Sequence, residues 1–344
     1  METVLTREAL EKRVNTTALP REEKEEILGV IKGDRLADLY RDAIAKRVFS
    51  PDEHPERLDF LLQRIMKDCT IQTLHSASNE GIQLSQYSKK TITDLPAWIR
   101  DHRRADLEIQ SAAQDYIFNR TDIYSSEMLM VQYSASEGQD KEEIGYSNVA
   151  GVIVVVLMVK SPKVFKEYES NRYIHRITKA VADSGMEFPM LRQIAFVQLD
   201  KALELFLSGK YNEDEDSELL KMLSMIADIN NEKVTEQIKN DKFFEDIRSE
   251  VAVFSEDKEV QAMLLEEKMA IYDWEANRND ARRAGLAEGR AEGRAEGRAE
   301  GRAEGEAKLA NLINALINDG NIEAVSQVST DKKIREEYYI KYNL

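Results

Sequence analysis

Apolar residues in the first 68 positions recur at helical spacing. Pro20 is followed by Arg-Glu-Glu-Lys-Glu-Glu, which favours a helix start because proline fits the first turn and acidic side chains face the positive end of the helix dipole. Two further helices are predicted over residues 34–49 and 51–68. The second of them carries a stripe typical of a helix that faces a core: Leu58, Leu61, Leu62, Ile65 and Met66.

The spacing changes to period two beyond Cys69. Short runs that favour strands, over residues 70–74 and 91–99, lead to a polar segment, Arg100 to Arg103, that is typical of a hairpin tip. The next residues alternate between an apolar and a polar set, with Ala105, Leu107 and Ile109 against Arg104, Asp106, Glu108 and Gln110. Because successive side chains of a strand point to opposite faces, the polar set is expected on one face.

Longer elements follow the hairpin. A helix is predicted over residues 112–134, and Val149 to Val159 is predicted to be a buried strand because it is short, β-branched and almost entirely apolar. Residues 194–199 are predicted to form another strand, which runs into a helix over residues 200–207. This order of helices, hairpin, helix and buried strand predicts an α/β (α+β) fold, with a mixed central sheet flanked by helices.

The C-terminal part is acidic, helical in character and contains an Ala-Glu-Gly-Arg repeat. Each repeat glycine costs a helix about 1 kcal/mol relative to alanine, so the repeat is either a solvated spacer or a glycine column for close helix–helix approach in an oligomer. A short amphipathic helix, Leu309 to Ile317, is expected to dock on a partner or on the body. The predicted segments are a helical extension (1–50), a core (51–210), an acidic helical region (211–284), the repeat (285–306) and a helical C-terminal segment (307–344).

The net charge of −16 counts against nucleic-acid binding through the field of the whole chain. Most of this acidity lies late, because residues 211–270 hold 7 basic and 17 acidic side chains whereas residues 84–210 hold 16 and 17. The single cysteine excludes an internal disulfide, and neither a secretory signal nor an apolar run of the roughly 20 residues that a bilayer requires is visible. The sequence therefore predicts a cytoplasmic protein without a membrane span.

Asp94 precedes Glu108 by 14 residues across the predicted hairpin tip. Paired strands can hold two such carboxylates side by side, and the two repel each other unless a cation lies between them. Oxygen ligands of this kind suit Mg²⁺ or Mn²⁺, which can lower the pKa of a bound water and orient its attack on a phosphate. Gln110 projects on the same face and can hold that water. By residue types alone, a polar strand face is usually just solvated surface.

Five motifs follow one another here: an Asp, a hairpin tip, a strand, an Arg and a Tyr-Ser pair, namely Asp94, Asp101-His102, Leu107-Glu108-Ile109-Gln110, Arg120 and Tyr124-Ser125. This order resembles the Rpn-type recombination-promoting nuclease and putative transposase family, a branch of the PD-(D/E)XK superfamily. The strand 149–158, the segment 199–203 and the Glu-Gly-Arg repeat extend the resemblance over residues 50–310. It implies a magnesium-dependent DNA endonuclease in which Asp94 and Glu108 bind the metal ion and Gln110 positions the nucleophilic water.

Three features depart from the family pattern. Gln110 stands where the superfamily has Lys and supplies no positive charge, although Gln is common there in the transposase-like branch. His102 stands where Gly is usual at the hairpin tip. The acidic residue of the superfamily's helix has Glu56 as its nearest candidate. The alternative to an active enzyme is a catalytically degenerate member that acts as a protein-interaction or oligomerisation module.

Basic side chains supply the candidate contacts with DNA. Arg120 and Tyr124 lie one helical turn apart and can reach a phosphate, or Arg120 instead pairs with Asp106 or Glu108. Six basic residues form either a surface for the DNA backbone or an ordinary solvated one: Lys160, Lys163, Lys166, Arg172, Arg176 and Lys179. No nucleotide-binding motif appears, so no nucleotide cofactor is expected. A homo-oligomer through the C-terminal helices is the other expected assembly.

Overall fold

The computed structural model describes residues 6–78, 94–113, 116–134, 149–168, 170–209 and 216–344. The strands are β1 (Thr73–Ser76), β2 (Pro96–Ile99), β3 (Arg104–Gln110), β4 (Val152–Met158), β5 (Ile174–Val181) and β6 (Glu187–Gln198). The helices are α1 (Arg7–Thr16), α2 (Arg21–Lys32), α3 (Asp42–Val48), α4 (Pro55–Met66), α5 (Ile117–Ser134), α6 (Lys163–Glu167), α7 (Leu199–Ser208), α8 (Ser217–Ala227), α9 (Glu232–Ile238), α10 (Lys242–Glu256), α11 (Lys258–Asn318), α12 (Ile322–Thr330) and α13 (Lys332–Lys341). The chain divides into two compact units, residues 1–269 and residues 270–344.

The strands form one mixed sheet in the order β1-β2-β3-β4-β6-β5. β1, β2 and β3 pair antiparallel, β3, β4 and β6 pair parallel, and β5 pairs antiparallel with β6. β4 lies in the middle of the parallel part and buries all seven of its residues, as its apolarity predicts. The prediction of a mixed sheet flanked by helices is confirmed.

The two faces of the sheet pack against different helices, because alternate residues of a strand point to opposite sides. Odd-numbered residues such as Leu107, Val155 and Val197 belong to a large core that also contains buried residues of α2–α4 and α7–α10. Even-numbered residues such as Val156 and Phe196 belong to a smaller core with residues of α5 and α6. The polar residues of β3 have even numbers and therefore lie on the α5 side of the sheet.

The helices before the sheet largely follow the sequence pattern. α4 buries its whole predicted stripe in the large core: Leu58, Leu61, Leu62, Ile65 and Met66. The helix predicted over residues 34–49 is shorter, because residues 34–41 form turns and bends and only the segment from Asp42 onward is helical. The helix predicted over residues 112–134 is α5, which begins at Ile117.

Two backbone positions show why particular residue types fit beside β3 and β4. His102 at the β2–β3 tip has φ 68°, in the left-handed region where glycine avoids strain. The family's usual Gly thus matches the conformation that His102 adopts. Gly151 has φ 104°, and a Cβ built on it would lie 2.7 Å from the carbonyl oxygen of Leu191. A glycine is therefore required where β4 begins against β6.

The β5–β6 hairpin differs from the sequence prediction. The strand predicted over residues 194–199 is only the end of β6, which begins at Glu187, and β5 covers part of the basic run at 160–179. The outer halves of both strands are exposed and mix polar and apolar residues, such as Lys179 and Phe188. Neither strict alternation nor continuous apolarity marks them, so this hairpin leaves a weak signal in the sequence.

The second unit contains most of α11, from Ala270 onward, together with α12 and α13. The repeat is helical and exposed along its length, because Ala, Glu and Arg are strong helix formers that fill three of every four positions. A Cβ built on any repeat glycine from Gly289 to Gly305 meets no heavy atom of the described chain within 4 Å. The amphipathic segment at 309–317 packs against α12 and α13 through a small core: Leu312, Leu316, Ala324 and Val328. None of the described helices combines the length and the apolarity that crossing a membrane requires.

Candidate active site

Asp94 lies just before β2 and is hydrogen-bonded to the backbone of β3. Its Oδ2 accepts a hydrogen bond from the Ile109 backbone N–H at 3.0 Å, while Asp106 Oδ1 accepts one from the Leu95 N–H at 3.2 Å. The antiparallel register of β2 and β3, continued two residues beyond β2, sets Asp94 opposite Glu108. The hairpin thus brings together the two acids that the sequence spacing predicts as neighbours.

Three polar side chains of β3 are buried on the α5 side of the sheet. Asp106, Glu108 and Gln110 expose 0%, 2% and 6% of their surface. The residues beside them on β4 are apolar and buried. Burying an ionised carboxylate costs several kcal/mol, so such a cluster requires a proton, a cation or a donor for each charge.

Glu108 has two donors on one of its oxygens. Its Oε2 accepts from Gln110 Nε2 at 3.2 Å and from Arg120 Nη2 at 3.1 Å. The guanidinium of Arg120 also lies over the ring of Tyr124, 4.8 Å from the ring centre, so the aromatic face supports its position. Of the two interpretations of Arg120 from sequence, the structure has the ion pair with Glu108.

Two carboxylate oxygens of the cluster, Asp106 Oδ2 and Glu108 Oε1, are buried without a hydrogen-bond donor in the described chain. The Asp106 and Glu108 carboxyl groups lie within hydrogen-bond reach of each other, so the metal-free cluster can satisfy them only by sharing a proton. Burial, followed by repulsion from Asp94, raises the pKa of Asp106 to about 7. Burial, followed by repulsion from Asp106 and Asp94, raises the pKa of Glu108 well above its ordinary value. Burial also raises the pKa of Asp94. Without a cation, the cluster keeps protons that carboxylic acids ordinarily release near pH 4.

This donor set fits a hard divalent cation. The unpartnered oxygens of Asp106 and Glu108 are the ligand type that Mg²⁺ and Mn²⁺ prefer, and a doubly positive ion beside them would offset the repulsion that raises their pKa values. Within the described residues, no group of three or more His, Cys, Asp or Glu side chains is placed to hold a metal ion. Mg²⁺ does not require such a group, because it usually binds through one or two carboxylates and keeps several waters.

A cavity beside Asp94 is lined in part by α3, and its lining residues do not include Asp106, Glu108 or Gln110. Asp42 and Lys46 of this helix line this cavity of about 130 Å³ together with Asp94 and Glu267. Lys46 Nζ lies 2.8 Å from Asp42 Oδ1. Burial lowers the pKa of Lys46, but the hydrogen bond and charge of Asp42, with smaller contributions from Asp94 and Glu108, raise it overall. The ammonium group of Lys46, from a helix far earlier in the chain, therefore lies close enough to the carboxylates for their charges to raise its pKa.

Glu56, the sequence candidate for the acidic residue on a helix, lies elsewhere. It is exposed in the first turn of α4, where its Oε1 is 3.5 Å from His54 Nδ1, and it does not line the cavity beside Asp94. Asp42 does line that cavity, and after burial its negative charge adds to the rise in the pKa of Asp94. In the described chain α3, rather than α4, presents an acid to this site.

Lys160 and Lys163 lie apart from the carboxylate cluster. Lys163 is largely exposed, and its Nζ pairs with Glu167 Oε1 at 3.2 Å. Lys160 follows β4, and its positive charge acts on Glu26 of α2. Within the described chain, the cation that pairs with the cluster on β3 is Arg120 instead.

Sequence reasoning left Asp106, Asp42 and Lys46 out of the site. The signal for Asp106 was present, because it shares the period-two polar face of Glu108 and Gln110. Asp42 and Lys46 are spaced to share one face of a helix, but this spacing does not say which element that face meets. The packing of α3 beside the β2–β3 hairpin decides it.

A comparison with known protein families matches residues 39–281 to the PD-(D/E)XK nuclease family transposases. The matched range begins before α3 and contains the β2–β3 hairpin, the buried carboxylates and α5. Searches of curated proteins and of solved structures give no significant match. Because the matched range covers well over half of the 344 residues and includes the whole carboxylate cluster, the chain belongs to the PD-(D/E)XK nuclease family transposases.

Proposed function

We propose that this protein is a metal-dependent DNA endonuclease that hydrolyses phosphodiester bonds with Mg²⁺ or Mn²⁺. The observation that carries the proposal is the pair of buried carboxylates, Asp106 and Glu108, which face each other without a donor for one oxygen each, next to Asp94. A buried cluster of like charges destabilises the folded chain, and strongly perturbed groups of this kind concentrate at functional sites. Membership of a nuclease family supports the same proposed activity.

In the proposed reaction, the oxygen of a water molecule bonds to phosphorus and the bond from phosphorus to one sugar oxygen breaks. The proton that the water loses balances the proton that the leaving oxygen gains. When bound, the metal ion stabilises charge on the phosphate and lowers the pKa of the attacking water. Asp94 and Glu108 would hold this ion, with Asp106 Oδ2 facing the same space. Gln110 uses its Nε2 on Glu108, which leaves its amide oxygen to orient the water.

Three further side chains would serve the same reaction. Arg120 holds Glu108 Oε2 in place and is itself supported by the ring of Tyr124, so the two are proposed to position the carboxylate and to meet the substrate phosphate. Lys46 is proposed to supply part of the positive charge that Gln110 lacks. Its association with Asp94 and Glu108 supports this role.

The proposal includes the setting of the reaction. DNA is the proposed substrate and recombination the proposed process, and the family supports both. Lys160 and Lys163 remain proposed contacts to the DNA backbone, since both are exposed cations that follow β4. A cytoplasmic location is proposed as well, because a single cysteine suits a reducing compartment.

Plasmid nicking tests this function directly. With Mg²⁺ or Mn²⁺, the full-length protein is expected to convert supercoiled plasmid to open circles, and EDTA is expected to stop the conversion. Asp94→Asn removes one anionic ligand and is expected to slow nicking by about 100-fold or more, because even changes to groups that only support metal ligands slow such enzymes by up to about 100-fold. The matched control is Asp101→Asn, at the exposed tip of the same hairpin, which should nick at the wild-type rate.

Two outcomes would overturn this function. Equal nicking by the wild type and Asp94→Asn would assign the activity to a contaminant or to another site. No nicking, together with no rise in melting temperature on adding either ion, would favour a catalytically degenerate member that acts through protein interaction.

We further propose a homo-oligomer through the C-terminal helices. The second unit has a core of only four buried residues and leaves Ile322 and Ile340 exposed at 73% and 82%. Helical clusters this small usually gain stability by association. Sedimentation velocity should show an oligomer for the full chain and a shift toward monomer for Ile340→Asp. Lys332→Asp on the same helix should not change it, and a monomeric wild type would contradict the proposal.

A further inference from the structure

A second cleft lies on the other face of the sheet from the carboxylates. It has a volume of about 560 Å³ and is bounded by the end of α4, the start of β5 and the start of α8. Arg176 of β5 pairs with Ala195 of β6, which belongs to the large core, and its Nε donates to the carbonyl oxygen of Ile65 in α4. The cleft therefore opens on the α4 side, whereas Glu108 faces α5.

The charges that line this cleft are mainly positive. Four cations lie there, namely Arg64, Lys67, Arg172 and Arg176, and the acid among the described lining residues is Asp216. Asp216 is already engaged, because its Oδ2 accepts from Arg64 Nη1 at 3.0 Å and its Oδ1 accepts from the Leu219 backbone N–H. Three positive charges therefore remain without a carboxylate among the described lining residues, in a chain whose net charge is −16.

Arg176 gives the clearest sign that this cleft lacks an anion. Burial lowers the pKa of Arg176, and the neighbouring Arg172 lowers it further, while Tyr173 opposes the change. The protein contact to its guanidinium is the neutral carbonyl of Ile65. Two arginines held near each other, Arg172 exposed and Arg176 half-buried, attract an anion that can accept several hydrogen bonds, and phosphate matches the arginine fork.

We propose that this cleft binds phosphate groups of a nucleic-acid strand at a distance from the carboxylate site. The proposal rests on the proposed DNA substrate and deepens it, because it gives an acidic chain a local place for the DNA backbone. The sheet register sets Glu108, Val156, Phe196 and His175 side by side across four strands. Three strand spacings separate Glu108 from His175, roughly 14 Å, so a strand a few nucleotides long can reach from one site past the β5 edge.

Cys69 offers a reporter for this cleft. It is the only cysteine of the chain, it is exposed, and it lines the cleft. The rate at which a thiol reagent modifies Cys69 in the full-length protein, measured in EDTA, therefore reports on this place alone. A single-stranded 12-nucleotide DNA is expected to slow modification by about threefold or more, and raised salt should remove this protection because phosphate contacts are screened.

Two variants and a control make the measurement specific. Arg172→Glu reverses an exposed charge at the cleft, and Arg176→Met removes the half-buried guanidinium while keeping an apolar stem. Each is expected to weaken the protection about tenfold in DNA concentration and to lower the salt dependence by about one phosphate contact. If Arg176→Met does not fold, the result for Arg172→Glu tests the cleft proposal. Lys12→Glu makes the same charge change on exposed α1 and should protect like the wild type.

The outcomes separate this proposal from the proposed enzyme activity. Glu108→Gln should show wild-type protection of Cys69, because the two sites lie on different faces. Nicking without protection, or protection that survives in Arg172→Glu, would overturn the cleft proposal and leave the nuclease standing. Protection without nicking would overturn the nuclease activity and leave the cleft proposal standing. Equal protection by inorganic phosphate at the same phosphate concentration would identify a site for small anions and overturn the assignment to a nucleic-acid strand.

Discussion

Glu108→Gln is expected to lose plasmid nicking by about 100-fold or more while melting at a temperature at least as high as that of the wild type. The substitution keeps the shape of the side chain and an oxygen that can accept from Arg120 Nη2, now 3.1 Å from Oε2. It removes an anionic metal ligand, which explains the loss of activity. It also removes a buried acid whose ionisation burial and Asp106 oppose, and this gain offsets the loss of the ion pair with Arg120, whose guanidinium is partly exposed to solvent.

For this interpretation to hold, Glu108→Gln must lower the rate of nicking without lowering the melting temperature. The rise in melting temperature that Mg²⁺ gives the wild type should also vanish in Glu108→Gln, because binding to the folded state alone produces that rise. Glu187→Gln is the matched control, since Glu187 is an exposed strand residue that pairs with Lys179 at 2.6 Å. A large fall in the melting temperature of Glu108→Gln would show that Glu108 serves the fold, and unchanged nicking would remove it from the catalytic site.

The stabilisation by Mg²⁺ is expected to grow strongly as the pH rises from about 5.5 to about 8, which is the second large effect. The pKa of Asp106 is raised to about 7 in the folded chain, above the value near 4 for an unfolded Asp. Between these values the folded state holds a proton that the unfolded state has lost. The metal-free protein therefore loses stability as the pH rises through this window, and the loss ends above the folded pKa.

Metal binding reverses this trend, because protons and Mg²⁺ compete for the same oxygens. Melting curves at several pH values, with and without Mg²⁺, should therefore diverge as the pH increases. Asp106→Asn removes one of the competing protons and should make the metal-free curve less steep up to about pH 7, although Glu108 and Asp94 still titrate, whereas Asp101→Asn should keep the wild-type profile. A Mg²⁺ effect of the same size at every pH would contradict ionisation of the buried cluster on binding.

Much of the hairpin that carries the site is readable from sequence because it depends on local periodicity. Alternation in residues 104–110 predicts that Asp106, Glu108 and Gln110 share a face, and the spacing around the tip predicts that Asp94 meets Glu108. The buried strand at 152–158 is predicted for a related reason, because a run of β-branched apolar residues is stable mainly when both faces are covered. These features need no knowledge of distant contacts.

Other features depend on contacts that no local pattern contains. The outer half of the β5–β6 hairpin is stabilised by strand pairing rather than by burial. Its mixture of polar and apolar residues therefore does not predict strands. The repeat contains glycines that weaken a helix, yet it continues α11 because the residues between them favour the helix. Pairing between strands decided the first case, and the helix propensity of the residues between the glycines decided the second.

The sequence by itself determined the carboxylate face of β3, its polar order and the class of fold around it, because strand periodicity dictates which side chains point together. Only the tertiary structure decided what surrounds that face. It brought Asp42 and Lys46 from α3 to a cavity beside Asp94, paired Glu108 with Arg120 of α5, and left two carboxylate oxygens without a donor in the described chain. It also gathered Lys67, Arg172 and Arg176 into one cleft. Electrostatic free energies depend on burial and on distances between residues far apart in the chain, and folding alone sets both.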